Sequence, residues 1–181
     1  MKKTALFCAQ GFEECEGLIV VDLLRRAGIE ITTVSLEPTL EVTSSHEVTV
    51  RCDKTFDQIQ FEKLDMIILP GGLPGTTHLL EHAPLLNQIK EFDQQKKYLA
   101  AICAAPSVYG ELGLLQGRKM TCFPGFESHC QGAQPTGEKV VQDGHIITAT
   151  GLGAAIEFAA RIIEVLTDQA TADKVLAAIQ Y

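Results

Sequence analysis

The chain has 181 residues, of which 46% are hydrophobic and 21% are charged, and its formal net charge at pH 7 is −8. This length allows a substantial core, and we predict a single domain over residues 1–181. The acidic balance argues against nucleic acid as the main partner, because such proteins usually present a basic face. The N-terminal segment turns polar at Gln10, too early for a signal peptide, and no apolar run reaches the ~18 residues of a membrane span. We therefore expect a cytoplasmic protein without a membrane partner.

The predicted elements alternate between strand and helix along the chain. Apolar runs predict strands at TALFCA, IEITTVSL, LDMIILPGG and YLAAIC. Helical spacing predicts helices at GLIVVDLLRRAG, APLLNQIKEFDQQKK, APSVYGELGLL, GAAIEFAARIIEVL and ATADKVLAAI. A short antiparallel excursion is predicted in LEVTSSHEVTVRCD, and a hairpin in EKVVQDGHIITAT that turns at Asp143-Gly144. Apolar strands that alternate with helices predict an α/β fold, a doubly wound parallel sheet sandwiched by helices.

Cys103 lies at the joint between the strand YLAAI and a helix that begins near Pro106. A sharp strand-to-helix turn projects its residue over the sheet edge, as in a nucleophile elbow. Small residues must flank such a turn, and Ala101, Ala104 and Ala105 do so here. The N-terminus of the following helix should lower the cysteine pKa from ~8.5 to ~5–6. The alternative is a core cysteine with apolar neighbours and a raised pKa. The chain has no C-x-x-C pair, so we expect free thiols in a reducing compartment.

Two further loops should meet Cys103, because ligand sites in such sheets lie at the carboxyl ends of the strands. The loop GFEECEG carries Glu13, Glu14 and Glu16. A carboxyl that burial keeps protonated can donate a hydrogen bond to sulfur and hold a thiolate in place. For one or two of the three, a solvated acidic loop is the alternative. In LPGG, Gly71 and Gly72 allow close backbone approach and can direct N–H groups at a developing oxyanion.

The chain resembles the ThiJ/PfpI superfamily in four ordered stretches, which are GFEECEG, RRAG, LPGG and AAICAAP. It is most similar to the branch of the Parkinson-disease-associated protein deglycase and its bacterial relatives, and the similarity extends through TGLGAAIEFAARIIEVL. The resemblance implies a flavodoxin-like, class I glutamine amidotransferase-like domain that forms a homodimer. It also implies glyoxalase-type conversion of methylglyoxal to lactate, deglycation of early glyoxal adducts, and redox-regulated chaperone action. The cysteine chemistry predicted below for the enzyme needs no metal or organic cofactor.

The same resemblance assigns roles to individual residues. Cys103 would be the reactive, oxidation-prone cysteine, and Glu16 the protonated partner of its sulfur. Gly72 and Ala104 would supply backbone N–H groups to a bound oxygen, and Arg26 would reach toward the site of the partner subunit.

Three positions depart from the patterns of the superfamily. Ala104 stands where the peptidase-like and amidotransferase-like branches have a histidine, which argues against a Cys-His triad peptidase. Phe123 stands where human-type members have a histidine, so a base is missing there. His46 stands where relatives often have arginine, and it is either a substitute polar group or an exposed hairpin residue.

Two other patterns suggest different chemistry. His78, Glu81 and His82 fit H-x-x-E-H, which would make a zinc hydrolase, although the neighbouring loops leave room for only about two helical turns. TGLGAAIEF contains G-x-G before a helix but lacks the third glycine of a dinucleotide fingerprint, so we predict a tight turn at Gly151 and Gly153.

Two functions from different classes follow. As an enzyme, the Cys103 thiolate adds to the aldehyde of a small 2-oxoaldehyde such as methylglyoxal, and Glu16 moves the proton. As an oxidative-stress sensor or chaperone, the same Cys103 is oxidised to sulfenic and then sulfinic acid, which alters an interaction surface.

Overall fold

The structure, a computed structural model, describes residues 2–181. Within these residues the chain forms eleven strands and six α-helices. The strands are β1 Lys3–Cys8, β2 Glu30–Ser35, β3 Glu41–Thr43, β4 Thr49–Arg51, β5 Lys54–Thr55, β6 Met66–Leu69, β7 Tyr98–Ile102, β8 Lys119–Met120, β9 Gln134–Pro135, β10 Val140–Asp143 and β11 Ile146–Ala149. The helices are α1 Glu14–Arg26, α2 Gly75–Glu81, α3 Ala83–Gln95, α4 Pro106–Glu111, α5 Ala155–Leu166 and α6 Gln169–Ala178.

Seven of these strands form one mostly parallel sheet in the order β10-β11-β7-β6-β1-β2-β5. Only β10 runs antiparallel, in its pairing with β11. The strands β2-β1-β6-β7-β11 reproduce the 2-1-3-4-5 order of flavodoxin-like sheets. The central strands are buried along their length, since β6 and β11 have no exposed residue. The doubly wound α/β fold predicted from the sequence is confirmed.

Helices cover both faces of the sheet and divide the core in two. On one face α1, α5 and α6 pack against side chains such as Leu6, with Val20 and Phe158 in the same cluster. On the other face α3 and α4 bury Ile89 and Tyr109 against the opposite side of the same strands. Both predicted hairpins are present, as β3 with β4 and β10 with β11. No helix in residues 2–181 combines the length and the hydropathy needed to cross a membrane.

The first helix begins earlier than the sequence predicts. Only the first three residues of the stretch GFEECEG form a loop, because α1 starts at Glu14 and includes Glu16. The Glu13 side chain caps the helix by accepting a hydrogen bond of 2.6 Å from the Glu16 N–H. Glutamate is not among the preferred N-cap residues, which explains why the sequence pattern placed the start later. The cap fixes Glu16 in the first turn of α1, on the side that faces the core.

Candidate active site

Cys103 directly follows β7, and its backbone has the unusual conformation that a nucleophile elbow requires. Its φ angle is 65°, in the left-handed region that a non-glycine residue rarely adopts. The backbone is held on both sides, since the Cys103 N–H donates to Ala149 O at 2.9 Å and Cys103 O accepts from the Phe123 N–H at 2.8 Å. The strained turn predicted from the sequence is therefore present, and the half-buried thiol projects above the sheet edge.

Glu16 reaches the same point from α1 and is buried. One carboxyl oxygen, Oε2, accepts the Gly71 N–H at 3.0 Å, and the carboxyl lies beside the Cys103 thiol. The close approach depends on glycine, because a Cβ atom at Gly71 would lie 2.6 Å from Cys103 Cβ and 2.8 Å from Glu16 Oε2. The structure thus brings together Glu16 and Cys103, which lie 87 residues apart in the chain.

Two backbone N–H groups lie near the sulfur. They belong to Ala104 and Gly72, and both favour the ionised form of the Cys103 thiol. Gly72 has a φ angle of 91°, and a Cβ atom there would lie 2.4 Å from the Glu13 N atom. The Gly71 N–H instead donates to Glu16, so Gly71 positions the carboxyl rather than an oxyanion. A negatively charged substrate oxygen bound next to the sulfur could accept hydrogen bonds from the Gly72 and Ala104 N–H groups.

The protonation of this pair differs from the sequence prediction. Burial, together with the Glu13 charge, raises the pKa of Glu16 from 4.5 to about 7. Burial and then the Glu16 charge raise the pKa of the Cys103 thiol to about 12. The prediction of a lowered cysteine pKa is wrong, because it considered the helix N-terminus and omitted desolvation and the adjacent carboxylate. The α4 helix has only six residues, so its dipole is small. Between about pH 7 and pH 12 the pair therefore holds one proton, which lies mainly on the Cys103 thiol beside the Glu16 carboxylate.

The raised pKa of Glu16 predicts a pH-dependent stability. A carboxyl whose folded pKa of about 7 exceeds its ordinary 4.5 stabilises the fold below pH 4.5 and loses this contribution as pH rises through 7. We therefore compare the free energy of unfolding of Glu16→Gln with that of wild type. We expect the difference to shift in favour of the variant by up to about 3 kcal/mol when the pH is raised from 5 to 8. Denaturant unfolding at both pH values measures this difference. Glu14→Gln is the control in the same helical turn. Because the pKa of Glu14 is lowered, this variant should not gain stability relative to wild type as the pH rises. If the difference in unfolding free energy between Glu16→Gln and wild type were the same at pH 5 and pH 8, the raised pKa of Glu16 would be contradicted.

Arg26 and His46 lie apart from the Cys103 sulfur within this chain. Arg26 is ten residues beyond Glu16 on α1, about 15 Å along the helix axis, and its Nε donates to Asp22 Oδ2 at 2.7 Å. Its role at the site of a partner subunit stays a prediction. His46 is exposed on the turn between β3 and β4, where its Nδ1 lies 3.1 Å from a carboxylate oxygen of Glu14. It therefore contacts the start of α1 rather than the thiol.

The three residues of the H-x-x-E-H pattern do not form a metal site. His78 Nδ1 lies 2.7 Å from Gln10 O, and His82 Nδ1 accepts the Leu85 N–H at 3.1 Å as the N-cap of α3. In residues 2–181 the ligand atoms of His78, Glu81 and His82 do not gather within the 4.8 Å that marks a possible metal cluster. Both imidazoles are hydrogen-bonded to backbone groups. The geometry therefore does not support the zinc hydrolase alternative.

Gly151 and Phe123 complete the wall around the thiol, a role that was not predicted from the sequence for either residue. A Cβ atom at Gly151 would lie 3.8 Å from both Cys103 Sγ and Glu16 Oε1, and 3.4 Å from the Phe123 ring. The Phe123 ring is 48% exposed and so presents an apolar surface beside the sulfur. The G-x-G after the last parallel strand, at the carboxyl edge of the sheet, was the available signal for Gly151.

Comparisons with known proteins agree on one family. The model of the DJ-1/PfpI family matches residues 2–179. The protein dj-1beta of Drosophila melanogaster is 36% identical over 169 residues, which are 92% of this chain and 90% of that protein. Protein DJ-1 homolog B of Arabidopsis thaliana is 36% identical over 91% of this chain, which spans only 38% of that longer protein. Isonitrile hydratase of Pseudomonas putida is 32% identical over 77% of this chain and 61% of its own length.

A solved structure has the same fold over the whole chain. The oxidised form of Toxoplasma gondii DJ-1 superposes with a TM-score of 0.96 at 36% identity, covering 100% of this chain and 99% of that one. The family model and relatives above 30% identity both span nearly all of the sequence. The chain therefore belongs to the DJ-1/PfpI family.

Proposed function

We propose that this protein is a cysteine-dependent glyoxalase or deglycase that acts on small 2-oxoaldehydes such as methylglyoxal and on their early adducts. The observation that carries the proposal is the buried Glu16 carboxyl, which lies against the Cys103 thiol with the Gly72 and Ala104 N–H groups beside the sulfur. The family also includes a relative named isonitrile hydratase, which supports an enzymatic role for this fold in general.

The chemistry begins with proton transfer inside the pair. When the shared proton lies on Glu16, the Cys103 thiolate can add to the aldehyde carbon and form a hemithioacetal. The Gly72 and Ala104 N–H groups would stabilise the resulting oxyanion. The half-exposed Phe123 ring offers an apolar contact beside the thiol, which suits a small substrate with a methyl group.

The following steps move one proton between adjacent carbons. Glu16 gives its proton to the oxyanion and becomes a carboxylate, which removes the proton from the hemithioacetal carbon and returns it to the neighbouring carbonyl carbon. The hydroxyl proton passes from the first oxygen to the second, and the product is a lactoyl thioester of Cys103. Water then cleaves the thioester, releasing lactate and restoring the thiol. The sum is methylglyoxal plus water giving lactate, with no net oxidation and no cofactor. We also propose that the protein forms a homodimer, in which Arg26 reaches toward the site of the partner subunit.

Lactate formation from methylglyoxal by Glu16→Gln tests the proposal. We expect kcat to fall by about 100-fold or more, because the amide cannot exchange the proton and general acid–base catalysis contributes about 10²–10⁴-fold. Lactate is measured in parallel with wild type and with chelator-treated wild type, which should keep its rate. Full turnover in Glu16→Gln would remove the acid–base role, and loss of activity with chelator would favour metal chemistry.

A second candidate function is oxidative-stress sensing or redox-regulated chaperone action through the same thiol. The observation that favours it is the exposure of Cys103, which is half-buried where four of the other cysteines are buried. A structural relative has been solved in an oxidised form, which adds support. The lactate assay distinguishes the two functions, because a protein that acts only as a sensor would produce no lactate.

A further inference from the structure

Three hydrogen bonds form a closed ring that includes Glu16. The Glu16 N–H donates to Glu13 Oε2 at 2.6 Å, the Glu13 N–H donates to Gly71 O at 2.9 Å, and the Gly71 N–H donates to Glu16 Oε2 at 3.0 Å. The ring joins the start of α1 to the segment that follows β6. Both the backbone N–H and the carboxyl of Glu16 are therefore fixed by the same two neighbours.

The Glu13 carboxylate in this ring is largely shielded from water. Its side chain is only 12% exposed, although Glu13 stands at the very start of a helix. Oε2 accepts the Glu16 N–H, and Oε1 lies 3.9 Å from His46 Nδ1. Water screens a partly buried charge much less than an exposed one. Since aspartate or asparagine would be a better N-cap, capping alone does not account for a glutamate in this place.

We propose that Glu13 is a positioning residue of the reaction, which holds the Glu16 carboxyl at the Cys103 thiol and places a second negative charge in the same helical turn. This inference rests on the proposed function, because Glu13 acts through the acid–base role of Glu16. Glu13 itself exchanges no proton with the substrate in this scheme.

The Glu13 charge affects two steps of the proton transfer. Neighbouring carboxylates oppose each other, so this charge favours the protonated form of Glu16 and contributes to its raised pKa. A Glu16 carboxylate that binds a proton more tightly takes it more readily from the Cys103 thiol. It is also a stronger base toward the hemithioacetal carbon. Loss of the Glu13 charge should therefore slow both steps.

Other ionisable groups lie near Glu13 and provide a control. Within residues 2–181, ligand atoms of Glu13, Glu14 and His46 lie within 4.8 Å of one another. On α1 the exposed Cys15 separates Glu14 from Glu16 in the chain. Glu14 has no hydrogen bond in the ring, and its carboxylate lies 3.1 Å from His46 Nδ1 instead. Glu14→Gln therefore removes one negative charge from the same turn and leaves the ring intact.

The test compares Glu13→Asp with Glu13→Asn. The two new side chains have the same length, and both are preferred N-cap residues, so each can accept the Glu16 N–H and keep the helix start. They differ in charge alone. Carbon NMR of isotopically labelled glutamate follows the Glu16 carboxyl as the pH is raised, and its signal is assigned by its absence in Glu16→Gln. Lactate formation from methylglyoxal gives kcat and KM at each pH.

We expect the titration of Glu16 in Glu13→Asn to lie about one pH unit below that in Glu13→Asp and in wild type. The kcat of Glu13→Asn should be about tenfold lower than that of Glu13→Asp, while KM stays within about twofold, because the effect acts through the acid–base group and not through substrate binding. In Glu14→Gln the titration of Glu16 should stay within about 0.3 pH unit of wild type, because that charge is outside the ring.

Equal titrations of Glu16 in Glu13→Asp and Glu13→Asn would overturn the proposal, because a residue that only caps the helix gives this result. A shift in Glu14→Gln as large as that in Glu13→Asn would overturn it as well. If Glu13→Asn does not fold, Glu13→Gln, which keeps the length of the side chain, is compared with wild type in its place. The proposed function fails separately: wild type would then form no lactate, while the NMR titration would still decide whether Glu13 acts on Glu16.

Discussion

Cys103→Ser should abolish the conversion of methylglyoxal to lactate, with a fall in kcat/KM of about 10³-fold or more. Serine is nearly isosteric with cysteine, so the turn, the Glu16 contact and the two N–H groups should remain in place. The hydroxyl, however, stays protonated where the thiol can transfer its proton to Glu16. The loss of activity would therefore result from the missing nucleophile and not from a rearranged site.

The measurement compares initial rates of lactate formation at pH 7 and pH 8. Cys15→Ser is the matched control, because Cys15 is an exposed cysteine one residue before Glu16 on α1 and should keep full activity. Circular dichroism of both variants confirms that the fold is intact. A Cys103→Ser protein with a tenth or more of wild-type activity would disprove thiol catalysis.

Gly71→Ala should destabilise the protein by about 3 kcal/mol and remove activity at the same time. The added Cβ would lie 2.6 Å from Cys103 Cβ and 2.9 Å from the Ile102 carbonyl oxygen, so the elbow must move to admit it. It would also lie 2.8 Å from Glu16 Oε2, which forces the carboxyl away from the thiol. The backbone of Gly71 is not in the left-handed region, so the effect is steric.

Denaturant unfolding together with the lactate assay checks this prediction. Gly153→Ala is the control, because a Cβ atom at Gly153 meets nothing within 4 Å and its backbone likewise suits any residue. We expect Gly153→Ala to unfold within about 0.5 kcal/mol of wild type. Equal stability of Gly71→Ala and wild type would mean that Cys103 and Glu16 can move to make room for the added Cβ atom, which would contradict the close packing in the structure.

The fold and the elbow could be predicted because local signals carry them. Strands such as β6 are apolar along their whole length, which in alternation with helices indicates a parallel sheet. The position of Cys103 followed from one strand, a run of small residues and Pro106 at the start of α4. Each of these signals lies within a few residues of the feature that it predicts.

The electrostatics of the site could not be predicted in the same way. The pKa of Cys103 depends on burial and on Glu16, and that contact exists only after β1, β6 and β7 have assembled. The wall made by Gly151 and Phe123 has the same origin, since it joins segments that follow different strands. A sequence pattern carries no distance between such segments, so both features required the structure.

The left-handed backbone at Cys103 has an evolutionary consequence. A cysteine held at a φ angle of 65° costs about 1 kcal/mol relative to glycine, which adopts this conformation freely. Selection for stability alone would therefore replace the residue with glycine, and only selection for the thiol opposes that drift. A relative of the same fold with glycine at this position would have a relaxed turn and no thiol for the chemistry proposed above.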